Sequence, residues 1–190
     1  MPLGYPAQGK KSVVHAGLRE NVEQPLSRLR DPRVVIRPRA VALCGDFVSM
    51  NLIIADDIAA WPANSYLMTH VTNPFLSVAT ISAALRAYGE GLAAGKADSL
   101  FTVTRHQTRF YRADGSAINH DPAKLIRTQD LTPWFEENSC LYIFSAASFA
   151  HAQARIGSRP ILVPVPKREA VDIDDEDDWN VAALLAAGMA

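Results

Sequence analysis

Between Ser65 and Thr104 the chain reads as strand, helix and strand in close succession, and this order restricts the fold more than any other feature. Tyr66-Leu67-Met68-Thr69 is a short apolar run inside Ser65–His70. Ser77 is a good N-cap, followed by Ile81, Ala84, Leu85 and Tyr88 at helical spacing. Gly89 and Gly91 are expected to end that helix. Ser99 to Thr104 is again β-branched and aromatic. Such an order implies a crossover unit in a largely parallel sheet. Ligands of these sheets gather where the strands end, and His70 to Asn73 occupies one such end.

The same grammar recurs on either side. Val34-Val35-Ile36 is a short strand closed by Arg37-Pro38. Ser49 caps a helix with Leu52 and Ile53 on its apolar face and Asp56 and Asp57 on its polar face, and Pro62 closes it. Leu141 to Phe144 is a strand, and Ser145 caps a helix containing Phe149, Ala152 and Ile156, with Gly157 at C′. Ile161-Leu162-Val163 is a further strand, and Trp179, Ala182, Ala183 and Ala186 form the stripe of a closing helix. Residues 1–32 show no sustained pattern beyond a short helix near Leu18 to Arg28. The expected architecture is an α/β three-layer sandwich with a mostly parallel sheet.

One stretch breaks this rhythm. Phe110 and Tyr111, then Ala113-Asp114-Gly115-Ser116, then Ala117-Ile118 read as a hairpin with an Asp-Gly turn. Residues 106–135 are therefore expected to form an inserted arm that makes a homodimer contact. Without an internal repeat or a low-complexity linker, residues 1–190 are expected to be a single domain.

The 190 residues, 48% hydrophobic and 21% charged, suffice for one sizeable core. A net charge of −1 gives no global field for nucleic acid or an anionic membrane, so the expected partner is a small molecule. Cys44 and Cys140 stand far apart with no metal-ligand spacing, which suits reduced thiols in a cytoplasmic protein. The apolar tail Val181 to Ala190 is too short to span a bilayer. His15, His106, His120 and His151 match no zinc site, and no nucleophile elbow or Walker loop occurs.

Val171-Asp172-Ile173-Asp174 carries the most pointed chemistry. In an extended segment both carboxylates face one way, ~7 Å apart, which lets a single Mg²⁺ take an oxygen from each. The acids that follow, Asp175 to Asp178, suit a helix start, and a solvated helix start is the competing reading. Arg37, Arg127, Lys167 and Arg168 fall in loops or at strand ends, where they either meet a phosphate or carboxylate or remain surface charges. His70 is a pocket donor or a satisfied polar group, and Thr72-Asn73-Pro74 a ligand loop or only a turn. Trp134 and Phe135 line a pocket or fill the interface beneath the hairpin.

The order of Arg37-Pro38, the Ser49 helix, Thr72-Asn73-Pro74, Asp98-Ser99, Arg127-Thr128-Gln129-Asp130, Glu137-Asn138, Leu141-Tyr142-Ile143 and Asp172-Ile173-Asp174 resembles the acylneuraminate cytidylyltransferases. These synthetases activate sialic and related sugar acids as CMP conjugates. The resemblance runs from about Arg33 to the C-terminus. It implies Mg²⁺ on Asp172 and Asp174, nucleotide contacts from Arg37 and Ser49, and a sugar-acid pocket around Arg127, Gln129 and Asn138. It also implies sugar contacts from His70, Thr72 and Asn73, where the family's Gln-Pro-Thr-Ser-Pro reads His70-Val71-Thr72-Asn73-Pro74. The family's Asn-Gly reads Asn138-Ser139 here.

Family members begin with a strand, a Gly/Ser/Lys-rich loop for the CTP phosphates, a helix and a second strand. Pro6-Ala7-Gln8-Gly9-Lys10-Lys11-Ser12 is faintly similar to that loop, but too few residues separate it from Arg37 for the rest. The expectation is a truncated reading frame or a shortened homologue. The implied activity is CMP transfer from CTP to a 2-keto sugar acid with release of pyrophosphate. The alternative is a non-catalytic homologue that binds a sugar acid or dimerises. A metal-dependent phosphatase is a weaker reading, because no first-strand aspartate nucleophile is visible.

Overall fold

In the computed structural model, which describes residues 12–16, 34–45 and 47–189, the chain divides into two compact units, Met1–Ala59 and Ala60–Ala190. The helix expected at Leu18 to Arg28 and residues 6–11 of the Pro6–Ser12 stretch lie outside the described residues.

In the first unit, β1 (Ser12–Ala16) pairs in parallel with β2 (Val34–Pro38). The Val13-Val14 pair suits an extended segment, although the sequence pattern alone did not single it out. A 3₁₀ turn, Val41–Leu43, leads to α1 (Met50–Ala60). Ser49 opens α1, with its hydroxyl accepting from the Asn51 N–H at 3.3 Å. Ile53 and Ile54 are buried, whereas Leu52 is exposed, so the apolar face is turned from the one the sequence suggested.

The second unit is built on a four-stranded sheet in the order β3-β5-β4-β6, comprising β3 (Ser65–Thr69), β4 (Ser99–His106), β5 (Trp134–Ser145) and β6 (Pro160–Pro164). The sheet is mixed rather than mostly parallel. β5 runs antiparallel to both β3 and β4, and only β4 and β6 pair in parallel. The strand, helix, strand reading does hold in one respect, since β3 and β4 are both antiparallel to β5 and hence point the same way. Sequence order cannot reveal that β5 inserts between them.

Alternation along the strands sorts the core. Leu100, Leu141 and Ile143 pack with Ala84 and Tyr88 of α2 (Val78–Ala93), each large aliphatic side chain contributing about 1.5–3 kcal/mol. Tyr142 and Phe144 face the other way, where Phe144 meets Tyr66 and also Phe149 of α3 (Ala146–Ala152).

Two glycines expected to stop helices have other roles. α2 continues through Gly89 and Gly91, because a Cβ on Gly91 would sit 2.6 Å from Ile161 Cδ1, so the missing side chain lets the helix lie close on β6. α3 stops earlier than Gly157, at Gln153 in the left-handed conformation with φ 52°. Gly157 is required instead because a Cβ there would strike Asp98 and Ser148.

In the stretch between β4 and β5 the chain turns back at Asp114-Gly115. Gly115 has φ 83° and donates to the Arg112 carbonyl, and Tyr111 bridges Ala117 antiparallel. Asn119 ties the base by accepting from the Phe110 N–H and donating to the Thr108 carbonyl. The closing helix α4 (Glu176–Ala187) buries Ala182 but leaves Trp179 exposed. None of the described helices is long and apolar enough to cross a membrane.

Candidate active site

The segment after β6 is stitched to the loop after β3 at three places. Glu169 accepts from the Ser77 N–H at 3.1 Å, the Asn73 side-chain amide donates to the Val171 carbonyl at 3.2 Å, and the Ile173 N–H donates to the Thr72 carbonyl at 3.0 Å. These bonds bring Thr72 and Asn73 beside the Asp172 segment. Burial opposes ionisation of Glu169, but hydrogen bonds from the Thr80 hydroxyl and from the Ser77 N–H and hydroxyl outweigh it and hold the carboxyl below its ordinary value. Glu169 thus places a buried negative charge at the N-terminus of α2.

Asp172 is half-buried, and its Oδ1 is fully buried without a hydrogen-bond partner; the same is true of Asn73 Oδ1. Buried acceptors left in this state are costly, and a cation or a donor on a ligand would satisfy them. Asp174 is exposed. Its N–H donates to Asp178, which forms a capping box with Asp175 at the start of α4. The acidic run therefore divides, with Asp175 to Asp178 serving the helix and Asp172 turned toward His70 and Cys140, both of which feel its charge.

His70 stands at the end of β3. Burial holds its imidazole below the ordinary value, and the adjacent Arg155 guanidinium adds to this against the pull of Asp172 and Glu137. Arg155 Nη1 lies 3.5 Å from His70 Nε2. Because arginine can only donate, Nε2 accepts, and the neutral ring carries its proton on Nδ1. Arg155 also covers the Tyr142 ring at 3.9 Å and pairs with Glu137 at 3.1 Å. Tyr142 donates a short hydrogen bond to the same Glu137 carboxylate, and burial together with that bond pushes its phenol up to about 12.

Glu137 and Tyr142 flank a bulge in β5. Phe101 pairs with Tyr142 and Val103 with Glu137, so Asn138, Ser139, Cys140 and Leu141 all stand opposite Thr102. Asn138 fills the bulge from within: its Oδ1 accepts from the Thr102 hydroxyl at 2.8 Å and the Cys140 N–H at 3.3 Å, and its Nδ2 donates to Thr104 at 3.2 Å. Both ends of the amide are thereby engaged within the strand pair. Ser139 adopts φ 58°, a left-handed conformation natural to glycine, at the position where the sequence departs from Asn-Gly.

Arg127 is 74% exposed at its side chain and grips Asp130 through Nε at 2.8 Å and Nη2 at 3.0 Å. Gln129 is exposed on the 3₁₀ turn Thr128–Asp130, where its carbonyl accepts from Gln107. In the first unit Arg37 bridges Asp56 at 2.6 Å and Asp57 at 2.8 Å. Sequence reasoning gave no role to Arg155 or Glu169. A lone arginine past a short helix and a glutamate in a Lys-Arg-Glu run look like surface charges, and only the fold shows their partners.

The strand order, the bulged β5 and the flanking helices define a mixed α/β fold. Among solved structures the chain is similar to a 4-diphosphocytidyl-2C-methyl-D-erythritol synthase from Anaerococcus prevotii, with a TM-score of 0.63 over 93% of this chain and 82% of that one, at 10% sequence identity. No protein-family model and no curated protein matches the sequence.

Proposed function

We propose that the protein is a Mg²⁺-dependent cytidylyltransferase that moves CMP from CTP to a 2-keto sugar acid. The observation that carries this reading is the stitching of the Asp172–Asp174 segment to the Thr72–Asn73 loop, which leaves a buried, unpartnered carboxylate oxygen at the end of β3. The cytidylyl chemistry named for the structural neighbour, and the order of motifs in the sequence, supply the nucleotide and sugar-acid parts of the reading.

The residues present suit the metal. No group of three or more His, Cys, Asp or Glu is placed to hold an ion among the described residues, but Mg²⁺ needs only one or two carboxylates when water and phosphate complete its shell. Asp172 and Asp174 would hold it. When bound, the ion supplies neutralisation of developing charge and a lower pKa for the attacking hydroxyl. The anomeric hydroxyl oxygen forms a bond to the α-phosphorus of CTP and gives up its proton to water, as the bond from that phosphorus to the oxygen bridging to the β-phosphate breaks and pyrophosphate carries away the electron pair. Neutral His70 offers its Nδ1–H as a donor, and Glu169 keeps the loop that bears it in register.

Pyrophosphate release with CTP, Mg²⁺ and a panel of sugar acids tests the reading. Asp172→Ala or Asp174→Ala is expected to lower turnover by about 10²-fold or more without unfolding the chain. Near-normal release from either variant defeats it. A second reading, a sugar-acid-binding or dimerisation module without catalysis, is favoured by the internal ion pairs of Arg37 and Arg127. It predicts no calorimetric heat with CTP and Mg²⁺.

A further inference from the structure

Arg155 has the setting of a recognition group. Its side chain is 18% exposed, its guanidinium carbon sits 3.9 Å from the centre of the Tyr142 ring, and its Nη2 and Nη1 reach Glu137 and His70. A guanidinium is planar and presents its N–H groups in one plane, the arrangement that matches a carboxylate fork. Partial burial strengthens its attraction for an anion relative to an exposed cation. Asp172 and its unpartnered oxygen lie near the same His70.

Backbone strain marks the same place. Among the described residues the two non-glycine residues with positive φ are Ser139 and Gln153. Ser139 lies between Glu137 and Tyr142, and Gln153 ends α3 just ahead of Arg155. Each conformation is disfavoured for a residue with a Cβ and persists where the surroundings enforce it, as at ligand sites. Both segments that bring the stack together therefore carry a strained turn.

We propose that Arg155 is the specificity-determining cation that reads the acid group of the substrate, and that Glu137 is the internal carboxylate it holds until that group displaces it. The inference rests on the transferase reading for the sugar acid and departs from the sequence expectation, which placed Arg127 around the sugar-acid pocket. Arg127 is bound through Nε and Nη2 to Asp130, on a solvent-exposed turn. Substrate binding then exchanges one carboxylate for another on the stacked guanidinium, so the cation is never left without a counter-charge in a half-desolvated site. The released Glu137 is already 41% exposed and can be rehydrated.

The test uses the full chain with Mg²⁺ and a non-hydrolysable CTP analogue. Calorimetry compares N-acetylneuraminate and 3-deoxy-octulosonate with their methyl esters. Arg155→Met, which keeps an unbranched stem, is expected to weaken acid binding about 10- to 100-fold and leave the ester unchanged. Arg155→Lys retains the charge without the fork and should keep part of the preference. Glu137→Gln, which weakens the internal competitor, should tighten acid binding.

The proposal is overturned if Arg155→Met keeps the preference for acid over ester, if Arg127→Met loses it instead, if Glu137→Gln weakens binding, or if neither acid binds the wild type. Acid binding that depends on Arg155 in a protein releasing no pyrophosphate removes the transferase and keeps the subsite. Pyrophosphate release with the preference intact in Arg155→Met does the reverse.

Discussion

Glu169 and Ser77 are separated by 92 positions in the chain, yet the carboxylate of one accepts the backbone N–H of the other at 3.1 Å. That bond fastens the segment leading to Asp172 onto the first turn of α2, so this segment and the loop bearing Thr72 and Asn73 share one anchor. Glu169→Ala is expected to destabilise the protein by about 2–3 kcal/mol, because it strands buried donors. Glu169→Gln, which keeps an acceptor, should cost less. Urea unfolding of the two variants measures the difference. Since the folded carboxyl lies below its ordinary value, its stabilisation is present above the unfolded value near 4.5 and is lost as pH falls through the folded one.

His70 responds at milder pH. Its folded value lies below the ordinary 6.5, so the unfolded chain binds the proton first. The contribution is therefore intact above that value and declines as pH drops from it through the folded value. Melting temperatures across the mildly acidic range should fall more steeply for wild type than for His70→Gln.

Cys140 should resist alkylation in the native protein. Burial, followed by the charge of Asp172, pushes its thiol up to about 11. At pH 8 that leaves about one thiolate in a thousand, within a side chain fully removed from solvent. Iodoacetamide labelling followed by peptide mass mapping is expected to find Cys140 unmodified until denaturant is added.

Gly157→Ala should cost about 1–3 kcal/mol by overpacking. The new Cβ meets Asp98, whose carboxylate cannot simply swing aside because it accepts from Ser99, Ser158 and Arg159. Combining it with Asp98→Ala should give a loss smaller than the sum of the two single losses in thermal unfolding.

Local signals in the sequence translated well into local structure. Ser49, Ser77 and Ser145 open helices through their hydroxyls, the Asp114-Gly115 turn forms, and the acids from Asp175 onward start α4. The errors came from judging glycines by conformation alone: Gly91 and Gly157 are there for close packing against groups distant in sequence. Strand direction was hidden for a related reason, since no local pattern states which neighbours β5 will take. At the site, Asp172 and Asn73 stood out as residue types in a turn and an alternating run. Arg155 did not, because its meaning comes from Tyr142 and Glu137 of β5, which it reaches only after the intervening helix α3 has folded.

The placement of β5 has a consequence for synthesis on the ribosome. β3 and β4 emerge first and point the same way, but neither can hydrogen-bond its eventual partner until Trp134–Ser145 has left the exit tunnel. The nascent chain must therefore carry two unpaired strands through translation of the whole stretch between them and β5. Non-local pairing of this kind slows folding and lengthens the exposure of open edges. Chaperone dependence should accordingly be greatest in fragments that end before Trp134 and should lessen once β5 is complete.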